Sequence, residues 1–177
     1  MDGWYGGGMS RSSLSDAFAH HSWATIRLID ACLPLSEEQL ASTVPGTYGP
    51  ILDTMRHLVA ADRSYLSLLS GGALDDVDEE GLDLAAMRAV MEANGPAWEA
   101  FVTGELDADR MVVRRRDDGS ESHAPLGIRI AQVIHHGTDH RSQICTALTN
   151  LGIEPPAIDA WDFGWENGRL LEVLSQT

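Results

Sequence analysis

A chain of 177 residues, 44% of them hydrophobic, is long enough to form one domain with its own core, and it needs neither disulfides nor a metal to fold. Its formal net charge of −15 disfavours nucleic acids and anionic membrane surfaces as partners, because both would repel it. The two cysteines, Cys32 and Cys145, favour reduced thiols over a disulfide framework, and no apolar run reaches the roughly 18 residues of a membrane span. We therefore expect a cytoplasmic protein.

The beginning of the chain lacks the pattern of a folded element. Residues 1–13 are rich in glycine and lack the apolar core of a signal peptide. We expect residues 1–13 to be a disordered or vector-derived extension, with either Met1 or Met9 as the native start. Residues 14–177 are expected to form a single helical domain.

Helical periodicity recurs in four long segments, at about residues 14–33, 50–69, 82–102 and 125–151. The first segment has an apolar stripe that ends at Pro34, and a short capped turn follows at residues 36–40. Pro50 stands near the first helical position of the second segment. The acidic run over residues 75–80 is typical of a solvated loop, and Gly95-Pro96 predicts an interruption or kink in the third helix.

A small β-hairpin is predicted between the third and fourth long helices. Val112 and Val113 are β-branched and precede an Asp-Gly turn within residues 117–120, and the hairpin closes near Ala124. After the fourth helix, the aromatic stretch 161–165 is expected to pack across the bundle, followed by a last short helix over residues 167–174. The predicted fold class is therefore all-α, a four-helix bundle with a small β-hairpin before the last long helix.

The fourth helix carries the strongest candidate for a functional site. His136 and His140 are four residues apart, so both imidazoles project from one face, on the flank of the apolar arc. That spacing lets two imidazoles bind one metal ion, although two hydrogen-bonded core histidines would show the same pattern. His135 and Asp139 are expected to point away from this face.

The residues alone leave the third ligand open. His57 lies at the edge of the apolar arc of the second helix, beside small neighbours that would leave room for an ion. His21 competes with it, because it lies squarely on the apolar stripe of the first helix. His20 and His123 are expected to face solvent or the hairpin. Asp62, within the apolar arc of its helix, predicts a buried acid with a structural partner.

Other conspicuous residues favour structural roles. The basic triplet at residues 114–116 is typical of a solvated edge strand, because alternate side chains of a strand point to opposite faces. The five tryptophans are expected mostly in the core or docking the tail. No general acid or base is assigned, although four residues lie near the histidines in sequence: Tyr48, Asp62, Asp139 and Arg141.

Several motifs resemble those of one family. They are WATIRLIDA at residues 23–31, TMRHLVAAD at 54–62, HGTDHRSQ at 136–143, and LGIEPP at 151–156 followed by Asp159. In their order and spacing over residues 14–165 they resemble the DinB-like (YfiT-like) family of proposed metalloenzymes. The resemblance implies a four-helix bundle, often dimeric, with one metal ligand from the second helix and two from the fourth. By position these ligands are His57, His136 and His140, which favours His57 over His21.

The chain departs from the family pattern at two positions. The family often has His where Asp139 stands and Asn where His135 stands. Neither is a usual ligand, so the three-histidine set is unaffected, but we expect local hydrogen bonding or substrate contacts to differ here.

Three imidazoles would leave a divalent ion at least one open position for water or a small-molecule substrate. Zn²⁺ is the default ion, with Ni²⁺ and Fe²⁺ as alternatives, because imidazole discriminates poorly among them. Such an ion lowers the pKa of a bound water or binds a thiol as the thiolate.

The resemblance favours the thiol route, since relatives include S-transferases and isomerases that use low-molecular-weight thiols such as bacillithiol or mycothiol. It implies a thiol-dependent S-transferase acting on small electrophiles, in a homodimer. A metal-dependent hydrolase is the alternative within enzymes. A non-catalytic metal-binding protein of the stress response is the alternative of another class.

Overall fold

The computed structural model describes residues 12–173 of the chain. The elements in chain order are α1 (Ser13–Cys32), α2 (Glu37–Leu40), α3 (Ile51–Leu69), α4 (Leu84–Val102), β1 (Met111–Arg115), β2 (Glu121–Pro125), α5 (Leu126–Asn150) and α6 (Ala160–Glu166). The four long helices and the hairpin confirm the predicted fold class. Residues 1–11 of the expected extension lie outside the described part of the chain. Ser12, also expected to belong to it, is the N-cap of α1, so α1 begins inside the range expected to be disordered.

Side-chain caps explain where most of the helices begin. The Ser12 side chain accepts a hydrogen bond from the backbone of Ser15, and Asp83 caps α4 in the same way. Ser36 and Gln39 form a reciprocal capping box on the short helix α2, which confirms the predicted capped turn at residues 36–40. Caps and prolines at the helix starts are local in sequence, which is why the predicted boundaries of the four long helices lie within about two residues of the observed ones.

Two expectations about the helices need correction. Helix α4 is not interrupted at Gly95-Pro96, because Asn94 and Trp98, on either side of the proline, have buried side chains that keep both halves of the helix packed in the bundle. The last helix lies at Ala160–Glu166 instead of residues 167–174, because Asp159 caps it and Gly168, with φ of +64°, follows its C-cap. Residue 174 itself lies outside the described part of the chain.

The four long helices pack so that α1 and α3 each contact both α4 and α5. One apolar cluster of the core is centred on Leu28, Met55 and Leu148, and a second on Phe18, Trp98 and Leu126. The hairpin pairs β1 with β2 in antiparallel register, with Val112 opposite Ala124, and it packs on the second cluster through buried Val112. Within residues 12–173 no helix is long and apolar enough to cross a membrane.

The C-terminal tail packs on α1. His20 Nε2 donates a hydrogen bond to Ile158 O, 2.8 Å away, and its ring lies edge-to-face with the buried Phe163 ring. His20 is therefore half-buried, which corrects the expectation that it faces solvent.

Of the five tryptophans, Trp4 lies outside the described residues, Trp98 is in the core and Trp23 packs against Phe163 of the tail, as expected. Trp161 and Trp165 are 69% and 50% exposed, so for them the expectation is corrected. Helix α6 is only 7 residues long and buries one narrow face, Phe163 and Gly164, so its two tryptophans are left on the exposed side.

Candidate metal centre

The facing helices α3 and α5 bring three histidines together. His57 comes from α3, and His136 and His140 come from successive turns of α5. One nitrogen of each ring lies within 4.8 Å of the nitrogens of the other two. His135 and Asp139 are exposed on the outside of α5, as predicted. The structure therefore groups the three histidines that the resemblance indicated.

The spacing of these nitrogens fits a single metal ion. Two nitrogen ligands at about 2.0–2.1 Å from a tetrahedral ion are separated by about 3.3 Å. His57 Nε2 and His136 Nε2 lie 3.2 Å apart. The His140 ring completes the cluster, with its centroid 4.4 Å from that of His136. The donor set and its spacing are those of a three-histidine site.

Two side chains outside the cluster orient its rings. Glu79 Oε1 lies 3.4 Å from His57 Nδ1, and Gln143 Oε1 lies 3.3 Å from His140 Nδ1. Oxygen partners of this kind keep the proton on Nδ1 and leave Nε2 free as a ligand. Both imidazoles are thereby aimed at the centre of the cluster.

Sequence reasoning did not assign a role to either orienting residue. Glu79 belongs to the acidic run interpreted as a solvated loop, and its side chain is 44% exposed. Only the folded loop brings it against His57, so no local signal could have found it. Gln143 follows His140 by three residues on α5, a spacing that places side chains on one helical face and could have identified it.

The protonation of the cluster favours metal binding. Burial, helped by the neighbouring charges of His140 and His57, lowers the pKa of His136 from 6.5 to about 4. Burial also lowers the pKa of His140. Both imidazoles are therefore neutral at physiological pH, and neutral imidazole is the form that binds a metal.

Two tyrosines border the cluster. The Tyr48 ring stacks on His57 with centroids 4.4 Å apart and planes 13° from parallel, and its edge meets His140 at 5.3 Å. The backbone N–H of Tyr48 donates to Gln143 Oε1 at 2.8 Å, which fixes the loop before α3 against α5. Tyr65 meets His136 edge-on at 5.8 Å. Of the residues noted near the histidines in sequence, Tyr48 is the one in contact with the cluster.

A cavity of about 410 Å³ adjoins this site. Its lining is Tyr48, Asp53, Arg56, Glu79 and Glu80. Tyr48 and Glu79 both contact His57, so the cavity and the cluster share a wall. The volume is within the range of small-molecule pockets.

His21 belongs to a different environment. It is 1% exposed, and its Nε2 lies 2.9 Å from Asp62 Oδ1. Asp62 also accepts hydrogen bonds from Asn94 and Trp98, which confirms the prediction of a buried acid with structural partners. His21 is therefore not part of the three-histidine cluster.

The basic triplet and His123 are on the surface, whereas Cys32 is buried and Cys145 is half-buried. The arginines at residues 114–116 are all exposed, as expected for an edge strand. His123 is exposed on the hairpin and pairs with Glu121. Cys32 and Cys145 are both free thiols.

Comparison with known proteins identifies the family and a similar fold. The sequence model of the DinB family matches residues 9–170. Among solved structures the fold is similar to YfiT from Bacillus subtilis, described as a probable metal-dependent hydrolase with an unusual four-helix bundle topology. The TM-score is 0.59 at 17% sequence identity, over 85% of this chain and 95% of YfiT. No curated protein matches the sequence.

Proposed function

Because the chain belongs to the DinB family, we propose that it is a divalent-metal-dependent hydrolase of a small-molecule substrate, with His57, His136 and His140 as the metal ligands. The observation that carries this proposal is the convergence of three imidazole nitrogens within 4.8 Å. The description of YfiT as a probable metal-dependent hydrolase supports the same reaction class.

Three protein ligands leave a coordination position open, the arrangement of catalytic sites as opposed to structural ones. Zn²⁺ is the proposed ion, with Ni²⁺ and Fe²⁺ as alternatives that imidazole ligands also accept. A bound ion supplies a Lewis acid and lowers the pKa of water, which is the chemistry that hydrolysis at neutral pH requires.

The surrounding residues would orient the metal ligands and restrict how a substrate reaches the ion. Glu79 and Gln143 keep His57 and His140 in the orientation that presents Nε2. Tyr48 covers one face of His57, so a substrate would approach the cluster past the Tyr48 ring. The adjoining cavity offers space for the part of the substrate that does not react.

The thiol-dependent S-transferase and the homodimer expected from the family resemblance stay predictions. The cavity beside His57 has three carboxylates and one guanidinium in its lining, and Arg56 is already bonded to Asp53 at 3.2 Å. Such a lining disfavours an anionic cosubstrate at this wall of the site. We therefore propose hydrolysis as the reaction and include a low-molecular-weight thiol in the second test below.

The first test is metal content. The protein would be purified without a metal-affinity column and compared with His57→Ala and with His135→Ala, an exposed neighbour of the cluster. We expect about one divalent ion per chain in the parent and in His135→Ala, and none in His57→Ala. A parent that neither contains an ion nor takes up Zn²⁺ or Ni²⁺ would overturn the proposal.

The second test separates the reactions. Metal-loaded protein would be assayed on activated esters and amides without thiol, and on small electrophiles with a low-molecular-weight thiol. Turnover without thiol that disappears in His140→Ala supports hydrolysis, and turnover only with thiol supports the S-transferase. A stable metal complex with neither activity would identify a non-catalytic metal-binding protein.

A further inference from the structure

A buried polar network crosses the bundle beside the metal centre. At its middle, His21 Nε2 lies 2.9 Å from Asp62 Oδ1. The Asp62 carboxylate also accepts from Asn94 Nδ2 at 2.7 Å and from Trp98 Nε1 at 3.0 Å. These residues belong to α1, α3 and α4, and each is at most 2% exposed. A carboxylate buried so deeply must keep all of its donors, because an unpaired buried charge is strongly destabilising.

The same network reaches α5 through Arg141, the residue that follows His140. Arg141 is 4% exposed, and its Nη1 donates to His21 Nδ1 at 3.1 Å and to Thr25 Oγ1 at 3.1 Å. Since His21 accepts from Arg141 at Nδ1, it donates to Asp62 from Nε2. His21 thus links a guanidinium on α5 to a carboxylate on α3.

The His21 ring also contacts the backbone of α5 between the two ligands. A Cβ atom built on Gly137 would lie 2.4 Å from His21 Cε1 and 2.7 Å from Nδ1. The ring therefore occupies the space that any side chain at this position would need. Gly137 lies directly after His136 and three residues before His140, so α1 touches α5 at the turn that carries both ligands.

We propose that His21 is a positioning residue for the metal centre, holding α5 in register with α3 so that His136 and His140 meet His57. This inference rests on the proposed metal binding. His57 and Asp62 belong to α3, whereas Gly137 and Arg141 belong to the ligand-bearing turn of α5. A shift of α5 along α3 would separate the ligands and stretch the His21 hydrogen bonds together.

The apolar core and the polar network constrain the helices in different ways. Interdigitated apolar side chains fix the helices by shape, but the hydrophobic effect itself is non-directional. Hydrogen bonds of about 3 Å are directional and weaken steeply when misaligned. Functional sites need their ligands held to within about 0.5 Å, and the His21 network provides directional bonds at the correct place.

The test compares metal affinity with stability in matched variants. Thr25→Val removes one acceptor of Arg141 while nearly keeping the side-chain shape, and Thr25→Ser restores the hydroxyl. His21→Gln breaks the link itself. Met91→Ala, in the buried apolar face of α4, is the control that destabilises the bundle without touching a polar group. Zn²⁺ affinity by chelator competition and the visible spectrum of the Co²⁺ form would be measured where every variant is folded.

We expect His21→Gln and Thr25→Val to weaken Zn²⁺ binding by about three- to tenfold and to alter the Co²⁺ spectrum, a smaller effect than the 10- to 100-fold found when a partner bonded directly to a ligand is removed. Thr25→Ser and Met91→Ala should bind like the parent, although Met91→Ala unfolds at a lower temperature. If His21→Gln does not fold, the valine and serine variants at position 25 decide the outcome.

Parent-like affinity in the network variants would overturn the positioning role and leave the metal site intact. An equal loss of affinity in Met91→Ala would overturn it too, since any destabilisation would then suffice. A parent that binds no ion would overturn the proposed function and this inference together.

Discussion

Replacing Gly137 with alanine tests a close contact between α1 and α5. In an isolated helix the substitution is favourable, because alanine stabilises a helix by about 1 kcal/mol relative to glycine. In this protein the added methyl group would lie 2.4 Å from His21 Cε1 and 3.0 Å from Arg141 Nη1. Real Cβ atoms essentially never approach a neighbour within 3.0 Å, so the His21 ring or the whole of α1 must move.

The expected magnitude follows from these opposing effects. Overpacking a well-filled site costs about 1–3 kcal/mol. Moving His21 also weakens its hydrogen bonds to Asp62 and Arg141, each of which contributes about 1 kcal/mol or more in a buried network. After the helix-propensity gain is subtracted, the free energy of unfolding should fall by about 3 kcal/mol. For a chain of this size the midpoint temperature would drop by about 6–12 °C.

The assay is urea unfolding and calorimetry of the metal-free protein, with Gly95→Ala as the matched control. Gly95 also lies inside a long helix that faces α1, but a Cβ there would be an ordinary 3.7 Å from Ser22. Gly95→Ala should therefore cause no clash with α1. Because a helical Cβ directly before Pro96 is disfavoured, the usual gain of alanine over glycine is offset, and stability should change by less than about 1 kcal/mol. A Gly137→Ala protein as stable as the parent would refute the close approach of α1 and α5 at His21.

Three further outcomes follow from the site and the core. Glu79→Gln should weaken Zn²⁺ affinity by about tenfold or more, because it removes the carboxylate beside His57 Nδ1, whereas Glu80→Gln should leave it unchanged in the same chelator competition. The low pKa of His136, about 4 against 6.5, means that the unfolded chain binds more protons between these values. The metal-free protein should therefore lose stability as the pH falls from 6.5 towards 4, and equal stability across this window by urea unfolding would contradict that pKa. Burial raises the pKa of Cys32 to about 12, so this thiol should resist iodoacetamide in the native protein and react once it is unfolded, as mass spectrometry would show.

The sequence alone was sufficient for the four long helices, the hairpin and part of the site. Apolar periodicity, caps and prolines act over three or four residues, so they predict α1, α3, α4, α5 and the hairpin from local pattern. The same local geometry places His136 and His140 on one face of α5, because side chains four apart on a helix are neighbours whatever surrounds them.

The third member of the cluster depended on tertiary packing. His21 and His57 both lie on the inward faces of their helices. Apolar periodicity predicts that a helix face is buried, but it does not predict which other helix packs against that face. Contact between α3 and α5 placed His57 in the cluster, and contact of α1 with α5 placed His21 over Gly137 and against Asp62. The loop that carries Glu79 and the register of α6 against α1 are long-range outcomes of the same kind. They are decided by side chains distant in sequence that pack or pair only once the four helices have assembled.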